Sequence, residues 1–154
     1  MGYYVNIVES NCAIKQENHD RAYKAVCELN RYDSNKRGGQ CGGNIPVKPS
    51  DSKSVSNSPH KWFSWMDWNY DETCPNLIKV LEMLGFETYE TKDAIKITYY
   101  DGKSGQEDIF LNALAPYIED GSYIRWKGED DYMWSNIFED GKMITREAEV
   151  IIVW

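Results

Sequence analysis

The stretch Lys61-Trp62-Phe63-Ser64-Trp65-Met66-Asp67-Trp68-Asn69-Tyr70 carries three of the six tryptophans in the chain. An indole is wide, apolar and furnished with one N–H donor, so a segment this dense in them must enter a core or form a stacking and anchoring surface. As a strand it sets Trp62, Met66, Trp68 and Tyr70 on one face and Phe63 and Trp65 on the other. As a helix it aligns Trp62, Trp65, Met66 and Asn69. Either geometry sends one face inward and offers the other to a base or a protein partner.

A chain of 154 residues suits one domain around a single core. Mean hydropathy is -0.64, and the longest wholly apolar run, Val150 to Trp154, is too short to cross a bilayer. No membrane association is expected. The opening Met1-Gly2-Tyr3-Tyr4-Val5-Asn6 lacks the basic and apolar regions of a secretion signal, which predicts a cytoplasmic setting. Cys12, Cys27, Cys41 and Cys74 are widely spaced and the histidines are His19 and His60 alone, a pattern unlike a zinc site. The cysteines read as thiols, and neither metal nor cofactor is expected.

Charge is unevenly distributed. Residues 1–60 carry eight Lys/Arg against six Asp/Glu, whereas residues 61–154 carry nine against nineteen, within an overall net charge of -8. The acidic C-terminal portion repels phosphate backbones and attracts basic surfaces, which disfavours duplex nucleic acid as a partner.

Periodicity outlines an α+β pattern. Tyr3 to Ile14 reads as a strand, followed by a helix from about Lys15 to Asn30 with Ala22, Val26 and Leu29 on one face. Arg31 to His60 is rich in glycine, proline and serine and reads as a long loop. Thr73 is a candidate N-cap for a helix burying Leu77, Ile78, Leu81 and Leu84 and ending at Gly85. Strands are predicted over Phe86–Glu90 and Ala94–Tyr100. Ser104-Gly105-Gln106-Glu107 has the form of a capping box, opening a helix that buries Phe110, Ala113, Leu114 and Tyr117 and breaks near Pro116. Ser122–Lys127, Tyr132–Phe138 and Met143–Trp154 complete a meander with a type I′ turn at Asp140-Gly141. The expected fold is a single α+β domain, a largely antiparallel sheet of five or six strands with about three helices on one face. Its core includes Leu77, Leu81, Leu84, Ile95, Ile97, Phe110, Leu114, Ile124 and Ile137.

Two aromatic segments stand out as binding candidates. Trp62, Trp65 and Trp68 form one; Trp126, Glu129, Asp130, Asp131 and Trp134 form the other, an aromatic-flanked acidic hairpin suited to a protein partner. The glycine-rich stretch holding Lys36 and Arg37, with Lys48, Lys53, His60 and Lys61 nearby, has the backbone freedom and charge of a phosphate cradle, though not the spacing of a P-loop. Together with a stacking tryptophan it makes a small nucleotide the alternative ligand. A Cys41–His60 nucleophile or a carboxylate pair at the acidic turns is the remaining, enzymatic reading, and no complete catalytic motif accompanies it.

The run Phe63-Ser64-Trp65-Met66-Asp67-Trp68-Asn69, with Trp126-Lys127-Gly128-Glu129-Asp130, Trp134 and Phe138-Glu139-Asp140-Gly141-Lys142, resembles small acidic proteins of phages and mobile elements. That resemblance implies a context: such proteins inhibit a host defence factor by occupying its surface, or sequester a nucleotide signal. The expectation is a non-catalytic binding protein whose partner is a host protein, with a nucleotide sponge as the alternative.

Overall fold

A computed structural model describes residues 2–32, 34–37 and 60–147. Seven strands and four α-helices lie among them: β1 (Tyr4–Ser10), β2 (Ala13–Lys15), α1 (His19–Leu29), α2 (Tyr70–Thr73), α3 (Leu77–Leu84), β3 (Phe86–Glu90), β4 (Ala94–Lys103), α4 (Glu107–Leu114), β5 (Tyr123–Gly128), β6 (Met133–Glu139) and β7 (Lys142–Glu147). All strand pairings are antiparallel and join one sheet. The single-domain α+β architecture is the expected one, with more strands than sequence periodicity suggested.

The extra strand comes from the N-terminal segment, which divides into two. Asn6 pairs with Asp101 and Ala13 with Lys96, so seven steps along β1–β2 match five along β4. The surplus is taken up between these pairs: the register against β5 shifts between Ile7 and Glu9, residues 11–12 lie outside both strands, and the Ser10 hydroxyl donates to the Ile97 carbonyl at 2.6 Å. On the other edge of β4 lies β3, and beyond β1 the order continues β5, β6, β7. The helix predicted from Lys15 begins at His19, after a 3₁₀ turn over Gln16–Asn18.

Local signals explain most boundaries. Asn76, not Thr73, caps α3, its side chain accepting from Lys79 N; Thr73 instead ends the short helix α2. Gly85 ends α3 at φ 113°, a conformation open to glycine. Glu107 accepts from the Ser104 hydroxyl at 2.8 Å and the Gly105 N–H at 2.7 Å, but the reciprocal bonds of the expected capping box are not made. Ser104 N donates to the Tyr3 carbonyl, and the helix starts at Glu107 itself, with Gln106 at the N-cap. Asp140 and Gly141 both take positive φ, as a type I′ hairpin turn requires.

One sheet face packs beneath the helices. Ile95, Ile97, Tyr100, Ile124, Trp126 and Phe138 enter the core against Leu77, Leu81, Leu84, Phe110 and Leu114. Ile137 is the exception among the expected core residues: it is half-buried, because its neighbours Asn136 and Phe138 take the inward alternation on β6. Trp126 is 1% exposed, packed on Phe86 and Tyr100, with its indole N–H donating to Asn136 Oδ1 at 2.7 Å. It is therefore a core residue and not part of a surface hairpin.

Leu81 is fully buried at the helix–sheet junction. Leu81→Ala is expected to cost about 2–5 kcal/mol in denaturant unfolding, and a loss below about 1 kcal/mol would contradict this packing.

Candidate functional site

The aromatic run is neither strand nor helix until its last residue, Tyr70, which opens α2. Phe63, Met66 and Tyr70 point inward, Phe63 and Tyr70 meeting Phe110 at ring-centroid separations of 5.1 and 5.7 Å. The Tyr70 hydroxyl donates to the Val26 carbonyl at 2.5 Å. A turn closed by Met66 N–H to the Phe63 carbonyl, 3.0 Å, brings both inward-facing residues to the same side. That turn requires Trp65 at φ 71°, in the left-handed region that bulky residues avoid. Trp65 is consequently thrown outward and is 48% exposed; Trp62 is 40% exposed.

Trp62 is held by two backbone hydrogen bonds with Arg37, 2.7 and 2.9 Å, an isolated antiparallel bridge. This bridge carries Arg37 to the aromatic pair. Lys36 goes elsewhere: it is buried, donates to the Asn30 carbonyl at 2.7 Å beyond the end of α1, and lies over the Phe63 ring. Its charge serves that helix terminus, which removes it from the phosphate-binding set. His60 is exposed and Lys61 half-buried; Cys41, Lys48 and Lys53 fall outside the described residues.

Two shallow clefts flank Trp65. One, about 370 Å³, lies among Arg37, Trp62, Ser64, Lys103 and Gly105. The other, about 330 Å³, lies among Tyr4, Met83, Leu84, Tyr100 and Lys103. Lys103 borders both, its ammonium over the Tyr4 ring at 5.9 Å. The indole of Trp65 sits against Gly105, where a Cβ would come within 2.5 Å of Nε1. Glycine at this position therefore sets where the exposed ring lies.

The acidic turn joins this end of the molecule through the start of β1. Glu129 N donates to the Tyr4 carbonyl at 2.9 Å, and the Tyr3 hydroxyl donates to Asp130. That contact lowers the Asp130 pKa and pushes the tyrosine up to about 12. Asp131 pairs with Lys127 at 3.2 Å. Trp134 is half-buried, stacked between Trp126 and Tyr132. Trp68 is half-buried and its carbonyl accepts from Asn30 Nδ2. Neither Trp68 nor Trp134 lines the two clefts. Tyr3, Tyr4 and Tyr132 are exposed, and the first two were legible only as strand formers.

Chemistry is scant. Burial pushes the thiols of Cys12, Cys27 and Cys74 up, which keeps them protonated at neutral pH. Among the described residues no group of three His, Cys, Asp or Glu side chains is arranged to hold a metal ion. No described helix is long and apolar enough to cross a membrane. No protein-family model matches the chain, and no curated protein or solved structure matches it.

Gly105→Ala should displace the Trp65 indole and shift the intrinsic fluorescence of the folded protein; the same change in a Trp65→Phe background should leave the spectrum alone. Equal shifts in both backgrounds would contradict the contact.

Proposed function

We propose that this is a non-catalytic binding protein that docks on a partner protein through the aromatic end built around Trp62 and Trp65. The observation that carries the reading is Trp65 itself: a tryptophan held half in solvent by a backbone conformation that costs about 1–2 kcal/mol. Strain of this kind persists where surrounding structure enforces it, and it gathers at ligand-contacting positions. Tyr3, Tyr4 and Tyr132 extend the exposed aromatic surface towards Glu129 and Asp130. Large aromatics in such a setting are the residues that dominate interface energetics.

The resemblance to small phage and mobile-element proteins supplies the context: the partner is a cytoplasmic host defence factor, and occupying its surface inhibits it. The nucleotide alternative retains Arg37, Trp62 and Trp65 but loses Lys36, and both clefts are shallow, whereas small-ligand sites bury most of their ligand.

A photo-crosslinker placed at Trp62 should capture the partner from host lysate, and one placed at Lys92, which borders a different cleft, should not. Trp62→Ala and Trp65→Ala should each then weaken affinity for that partner by about 2 kcal/mol or more with melting temperature retained. Weakened binding that merely tracks unfolding would reassign these tryptophans to the core and remove the proposal.

A further inference from the structure

We propose that the aromatic end recognises a peptide segment of its partner in which an acidic side chain lies close to a large apolar one. This rests on the protein-docking reading above and specifies the chemistry of what docks. The chain carries a net charge of -8, yet the cleft on the Trp62 side of Trp65 is lined by Arg37 and Lys103 and, among the described residues, by no Asp or Glu. Both cations are exposed, and neither forms an ion pair with a described residue. Glu107, the first residue of α4, is buried and turned towards Ser104 and Gly105. Two cations lining one cleft and ion-paired with no described residue, in an otherwise acidic protein, are complementary to a carboxylate.

The second cleft supplies the other half of the recognition. Across Trp65 lie Met83, Leu84 and Tyr100, an apolar floor with room for one large side chain. Lys103 belongs to both clefts. Its position over Tyr4 keeps the ammonium at their boundary. A segment laid over the Trp65 ring thus places its apolar residue against Met83 and Leu84 and its carboxylate between Lys103 and Arg37. Asp101 edges the apolar cleft and disfavours the reverse orientation, since it repels a carboxylate there.

The test is selection of random displayed dodecapeptides on the full-length protein, followed by affinity measurement for the enriched sequences. The proposal expects Asp or Glu near Leu, Ile, Phe or Met, and affinity that falls as salt rises. Lys103→Glu and Arg37→Glu should each weaken binding about tenfold, and a peptide with Lys in place of its acid should regain affinity for the Lys103→Glu protein. Peptides that need Trp65 but ignore both charge reversals would overturn this inference and leave the docking surface standing. Peptides indifferent to Trp65→Ala, or no enrichment at all, would overturn both. Displacement of the peptides by adenosine monophosphate and not by glutamate would assign the cleft to a nucleotide instead.

Discussion

The inward pull of Phe63 and Tyr70 on the aromatic run is the constraint from which the rest of the surface follows. Both are buried against Phe110, and Met66 is buried between them in sequence. Burying three large side chains within eight residues is favourable by several kcal/mol, more than enough to offset one residue in a left-handed conformation. The chain meets the demand by turning at Trp65, and the turn leaves that indole no place in the core. Exposure of Trp65 is thus the counterpart of burial at its neighbours.

Neighbouring elements then fix where the exposed ring lies. The Arg37–Trp62 bridge ties the first tryptophan and a guanidinium to the same edge. Gly105, just before α4, gives the Trp65 indole a seat without a side chain, and the end of β4 delivers Lys103. The start of β1 connects this cluster to the β5–β6 turn through Tyr3 and Tyr4. Five separate stretches of chain converge on one end of the sheet. The same packing that holds the domain together arranges the proposed binding residues in advance, which would lower the ordering cost of the association proposed above.

Legibility in the sequence followed the strength of local patterns. Helical periodicity at Leu77, Leu81 and Leu84, the Gly85 stop and the Asp140-Gly141 turn each depend on near neighbours, and each was readable. The break between β1 and β2 depends on their registers with β4, which lies far along the chain, and no local signal announced it. Trp126 and Trp134 flank an acidic turn symmetrically in sequence. They are direct cross-strand partners on the same sheet face with stacked rings. Yet Trp126 lies on the more central strand β5 and is buried, while Trp134 on β6, nearer the sheet edge, is only half-buried. Lys36 and Arg37 are adjacent and alike in charge, yet one ends in the core beneath Phe63 and the other at the surface beside Trp62. Only tertiary packing separates such pairs.

The central claim is that Trp65 is kept outside for contact and adds little to folding. It is tested most directly by the denaturant unfolding free energy of Trp65→Asn, because asparagine tolerates the left-handed backbone that tryptophan resists. The account predicts a stability within about 1 kcal/mol of the parent protein, relief of backbone strain offsetting the lost contacts with Gly105. A loss of about 3 kcal/mol or more, the cost of truncating a core aromatic, would contradict it.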